Sequence, residues 1–192
     1  MTESIRLRTR RKTRSFCFTS GIVFLVFAAA GCSSAVGDGS GYLPEEMSVG
    51  AARDLARRQS SVILETSGLR FETTNGGPSV SECSDVEHGY RVTHSWKVFG
   101  PSREVLTQAL EKLHRELPRR GWKVVRFEQA KSKARQMRLD VEDVKLHHTV
   151  TIEEDFVPQG PDVSRWEKAG RDGLFVYLDS PCYVDTAYKG EG

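Results

Sequence analysis

The residues of this 192-residue chain whose types could carry chemistry are five histidines, four cysteines and two runs of carboxylates. A metal site needs three or four converging ligands, and no Cys-x-x-Cys or His-x-x-x-His spacing supplies them, so no metal or other cofactor is expected. His147 and His148 are adjacent on a predicted strand and therefore point to opposite faces. His94 and His148 both fall at core-facing phases of strands. On neighbouring strands their imidazoles would meet as a buried polar site or half of a metal site; otherwise each is a core histidine satisfied by backbone or a tyrosine hydroxyl. His114, among Lys112, Arg115 and Glu116, reads as helix surface. Glu142-Asp143 and Glu153-Glu154-Asp155 can do acid/base work only where one carboxyl is desolvated enough to stay protonated, and at predicted turns and strand ends both ionise. Gly-x-Ser-x-Gly, Ser-x-x-Lys and a Gly-rich phosphate loop are absent, so the chain is not read as an enzyme. A hydrolase using His94 or His148 would need a concave site that gathers the histidine with Asp, Glu or Ser.

The elements that must position these residues follow from periodicity. Met47, Ala51, Leu55 and Val62 predict a helix over 45–66, stopped at Gly68. A short strand is placed at 69–72 and a loop at 73–84, around Asn75-Gly76-Gly77-Pro78. Residues 89–99 alternate, with Tyr90, Val92, His94, Trp96 and Val98 on one face, as a half-buried strand does. Ser102 is placed as the N-cap of a helix to Leu117, whose stripe is Val105, Leu106, Ala109, Leu110, Leu113 and Leu117. Strands follow at 122–127, 136–141, 145–154 and 173–179, with a tight hairpin turn at Glu142-Asp143. A long connection over 156–172 has room for one helical turn around Trp166. The expected fold is α+β: a mostly antiparallel sheet of 4–5 strands with helices packed on one face, followed by a loose tail over 184–192.

The N-terminus decides the compartment. Six basic residues and one acidic residue lie in 1–31, a net +5, so the other 161 residues carry −3 of the overall +2. Those first residues have the layout of an export signal: a basic stretch to Arg14, an apolar stretch over 16–30, and the small-residue exit Ala28-Ala29-Ala30-Gly31 before Cys32. Fifteen residues make about 22 Å of helix, less than the roughly 30 Å of a bilayer's hydrocarbon core. Arg10-Arg11 is not followed by the apolar residues of twin-arginine signals, which favours the general secretory route.

Ala29-Ala30-Gly31-Cys32 resembles the lipobox of bacterial lipoproteins, with Ala29 where Leu is usual; this implies a signal peptide over 1–31 and a diacylglycerol on Cys32. The alternative is an ordinary secretory cut after Ala30. Residues 32–44, rich in Ser and Gly to position 41, read as a flexible tether to a single domain over 45–183. Cys17 then leaves with the signal and Cys32 takes the lipid, so Cys83 and Cys182 remain to form a disulfide outside the cell.

Across 83–182 the chain resembles the LppA-like lipoproteins of actinobacteria. The resemblance rests on an early cysteine, a strand ending Val98-Phe99-Gly100, the helix from Ser102, a strand led by Gly121, and a cysteine soon after the last strand. It implies lipid anchoring and a disulfide, and transfers no catalytic residue.

Charge in the body is segregated: residues 112–138 hold ten basic and two acidic residues, whereas 139–192 hold five and twelve. Arg119, Arg120, Lys131, Lys133 and Arg135 could face an anionic lipid or acidic wall polymer at about 1 kcal/mol per residue. Otherwise this basic stretch complements a helix dipole and lies beside an acidic strand. Nucleic acid is not expected outside the cell. The reading is an exported, lipid-anchored envelope protein at the outer face of the cytoplasmic membrane, or a secreted one, with a non-catalytic binding role. The alternative is a carrier of a small apolar or lipid molecule, whose signature would be a pocket lined by Trp96, Leu110 or Trp122.

Overall fold

The computed structural model describes residues 43–74, 76–131, 135–157 and 171–190. Cys32, Lys133 and the helical turn expected around Trp166 lie outside them. The elements in chain order are β1 (Glu45–Glu46), α1 (Val49–Ser67), β2 (Glu72–Thr73), β3 (Ser79–Glu82), β4 (Gly89–Phe99) and α2 (Arg103–Glu116). A 3-10 turn (Leu117–Arg120) leads into β5 (Trp122–Gln129), β6 (Met137–Asp143), β7 (Thr149–Asp155), β8 (Gly173–Asp179) and β9 (Tyr183–Val184).

The fold is α+β. Strands β4, β8, β7, β6 and β5 form an antiparallel series, and they are the long strands that alternation makes legible. Four short strands bring the sheet to nine and make it mixed, because β1 runs parallel to β9. Segments of two to four residues are too short to display a period, which is why 4–5 strands were expected. Helix α1 lies against α2 and β4, and α2 lies against β6, β7 and β8. Between them is a core of rows running across the sheet, such as Trp96, Val176, Ile152 and Leu139, all buried.

Helix α2 follows its sequence signals. The Ser102 side chain accepts from the Val105 N–H, and Leu106, Ala109, Leu110, Leu113 and Leu117 are buried, though Val105 is 39% exposed. Helix α1 departs from them in two ways. It begins at Val49, capped by Ser48, because Glu45–Glu46 is a strand; it ends on Gly68, at φ 76°. Its buried face is Ala52, Ala56, Ser60, Ile63, Thr66 and Ser67, shifted by about one position from the expected stripe. Side-chain size accounts for this: small residues let the helix backbone approach the sheet, and the bulkier Leu55 and Val62 sit half-buried on its flank.

Three further expectations are corrected. The loop at 73–84 contains β3, which pairs with residues Tyr90–Thr93 of β4. The β6–β7 turn lies at 144–146 rather than at Glu142-Asp143; the buried Asp143 closes it, Oδ1 accepting from the Lys145 and Leu146 N–H groups. The tail is docked: β9 pairs with β4, the Asp185 carboxylate accepts from the Val49 N–H, and the Tyr188 ring packs 5.4 Å from that of Tyr90.

Cys83, just after β3, is bonded to Cys182, just before β9 (Cα–Cα 6.3 Å, 99 positions apart). A loop of that length restricts the unfolded chain enough to stabilise the fold by about 4.7 kcal/mol in the chain-entropy model. The double variant Cys83→Ser/Cys182→Ser should therefore lose several kcal/mol, read as a lower urea midpoint with an otherwise two-state transition.

Candidate functional site

One cleft collects the polar groups that alternation and motif searches do not connect. Strands β2 and β3 pair with the same edge of β4, at Val98–Phe99 and at Tyr90–Thr93 respectively. Strands β8 and β9 must occupy the opposite edge, because Phe99 faces both Glu72 and Gly173, and Tyr90 faces both Glu82 and Tyr183. Between β2 and β3 the chain leaves the ladder. Beside His94 and Trp96 it therefore leaves an opening of about 500 Å³, roofed by the α1 residues Arg57, Ser60, Ser61 and Leu64 and walled by Thr73, Thr74, Gly76 and Gly77.

His94 is the residue on which the cleft is organised. Its Nε2 lies 2.9 Å from the Gly76 carbonyl oxygen, and its Nδ1 lies 2.8 Å from Ser60 Oγ. A carbonyl only accepts, so in the neutral imidazole Nε2 carries the proton and Nδ1 is left to accept from the Ser60 hydroxyl. Trp96, one alternation along β4 from His94, is 6% exposed, and its buried indole N–H has no hydrogen-bond partner among the described residues. The lining thus contains a fixed Ser–His pair, further hydroxyls and Arg57, whose guanidinium is held by Asp54 at 2.7 Å. Among the described residues it contains no carboxylate.

The other candidates resolve differently. His94 and His148 do not meet: β8 separates β4 from β7, with Leu178 between His94 and Val150 in register. His148 precedes β7 and is fully buried, Nε2 lying 2.9 Å from the Tyr183 hydroxyl, while Nδ1 has no hydrogen-bond partner among the described residues. Burial pushes its pKa down to about 4, against a weaker opposing pull from Asp143. His147 lies in the turn before β7 at φ 54°, so the two histidines do not share a strand. His114 is half-buried and stacks on Phe127 with ring centroids 4.0 Å apart. Glu154 is not solvated: it is 4% exposed beneath α2, its carboxylate accepting from the Thr107 hydroxyl and from the Met137 N–H. Among the described residues no three His, Cys, Asp or Glu side chains converge as a metal set.

The basic stretch divides. On the open face of the sheet, Arg126 and Arg138 both reach Asp140, at 3.4 and 2.8 Å, and Arg138 lies 3.9 Å from Glu153. These two arginines of the basic hairpin are thus paired with acidic neighbours. Arg119, which is paired with Glu116, and Arg120 lie at the start of β5. Lys131 and Arg135 lie beyond its far end, about 26 Å away along eight strand residues. Of the five cations expected to act together, the four described ones therefore lie in two groups, at opposite ends of β5.

Comparison with known protein families, characterised proteins and solved structures finds no match to this chain.

His148 provides a pH test. Its pKa falls from the usual 6.5 to about 4 on folding, so between these values the unfolded state binds the proton more readily. That contribution is present above pH 6.5 and is lost as pH falls toward 4, to the extent of about 3 kcal/mol. Urea unfolding at pH 7 and pH 4 should show this loss, and His148→Asn should flatten it.

Proposed function

We propose that the protein is exported and lipid-anchored through Cys32 at the outer face of the cytoplasmic membrane, and that it binds a small molecule in the cleft between α1 and β4. The observation that carries the binding reading is the opening of about 500 Å³ beside β4, whose lining joins Leu64 and Trp96 to the Ser60–His94 pair. Leu64 and the Trp96 ring supply apolar surface, while hydroxyls and Arg57 supply donors; such a lining suits a ligand with an apolar part and oxygen acceptors. Of the three residues named for a carrier pocket, Trp96 lines this cleft, whereas Leu110 and Trp122 are buried in the core.

The anchor reading rests on the layout of residues 1–32 and on the resemblance to LppA-like lipoproteins. From Cys32 to the first strand at Glu45 there are thirteen positions, a reach of about 40 Å when extended. That is long enough to hold a domain clear of lipid headgroups. Arg120 and Lys123, exposed at one end of β5 with no ion pair among the described residues, are the cations best placed to meet an anionic lipid or wall polymer.

Full-length protein extracted in detergent should start at a diacylated Cys32 by intact mass; a chain starting at Gly31 overturns the anchor. The same protein should bind 1-anilinonaphthalene-8-sulfonate saturably at one site. Ser61→Trp, an exposed helix position at the cleft, should weaken that binding at least tenfold with an unchanged thermal midpoint; absence of saturable binding overturns the cleft reading.

A further inference from the structure

We infer that the cleft is also a site of acyl transfer, in which Ser60 is the nucleophile and His94 its general base, acting on small carboxylic esters. The inference rests on the cleft being a ligand site and goes beyond it. A serine hydroxyl is a poor nucleophile unless a base within hydrogen-bond reach takes its proton as it attacks, and that base must present an unprotonated nitrogen. The 2.8 Å contact from Ser60 Oγ to His94 Nδ1 meets the first requirement. The Gly76 carbonyl meets the second, because by holding Nε2–H it leaves Nδ1 as the acceptor. In triads with an acidic third member, that member fixes the tautomer and stabilises the imidazolium. Here the carbonyl does the former and, as a neutral acceptor, only part of the latter, so turnover should be slow.

In the reaction Ser60 Oγ attacks the ester carbonyl carbon and its proton passes to His94 Nδ1. The resulting tetrahedral oxyanion needs donors, and the lining offers the hydroxyls of Ser61, Thr73 and Thr74 and the Arg57 guanidinium. Collapse breaks the bond to the alkoxy oxygen, which leaves with the proton from Nδ1, and the acyl group remains on Ser60. Water then attacks the acyl-enzyme, its proton passing through Nδ1 to Ser60 Oγ as the acid departs. Ser60 is 5% exposed at the inner end of the cleft, which restricts the substrate to a small acyl group.

The experiment treats full-length protein in detergent with a fluorophosphonate probe and with p-nitrophenyl acetate, alongside 1-anilinonaphthalene-8-sulfonate binding. The expected result is a phosphonyl adduct on the peptide containing Ser60, and hydrolysis that falls about 100-fold in Ser60→Ala and in His94→Ala. Ser60→Cys, which keeps the size and a nucleophile, should still be acylated by p-nitrophenyl acetate, which separates loss of chemistry from loss of fold. No adduct at Ser60, or hydrolysis unchanged in Ser60→Ala, overturns catalysis; if the sulfonate probe still binds, the ligand-site reading survives, and if it does not, both fail together.

Discussion

Pairing of β4 along both edges is the constraint from which the rest of the structure follows. Its eleven residues are met by β8 and β9 on one side and by β2 and β3 on the other, and a disulfide joins the two flanking sides near its first residues. A strand so held presents one face with little freedom. Tyr90, Val92, Trp96 and Val98 are consequently buried, and both helices are recruited to that face. Burying such side chains is worth about 1.5–3 kcal/mol each.

The cleft is the one stretch where this pairing is interrupted. Between β2 and β3 the chain steps away from β4, and polar groups replace the ladder: the Thr74 hydroxyl accepts from the Lys97 N–H, and Gly76 accepts from His94. Ser60 belongs to the same arrangement. A hydroxyl on the buried face of α1 would be costly against an apolar neighbour, and His94 gives it a partner. The Ser–His pair thus serves the packing of helix on sheet, and it also leaves a serine hydroxyl facing a base inside a concave space.

Polar groups elsewhere in the core are tied to particular elements. Glu154 fastens β7 to α2 through Thr107 and to β6 through the Met137 N–H. Asp143 closes the β6–β7 turn and also receives a 3.4 Å contact from Gln59 of α1. On the opposite, solvated face Arg126 and Arg138 pair across strands with Asp140 and Glu153, so these two charges of the basic stretch act locally.

Local chemistry determined the α+β class, the long strands, the N-cap at Ser102, the stripe of α2 and the Gly68 stop, because each depends on neighbours a few residues apart. The expectation of an export signal and of a lipid on Cys32 likewise rests on local order. Only tertiary structure decided β1, β3 and β9 and moved the short strand expected at 69–72 to Glu72–Thr73, and it alone decided the docked tail and the buried face of α1, since strands this short carry little period and a helix is oriented by what it must approach. It also decided the site. Ser60 and His94 are 34 positions apart and Gly76 lies between them. No spacing rule joins a helix serine, a strand histidine and a loop carbonyl; they meet because β4 is held at both edges and α1 packs on it through its smallest residues.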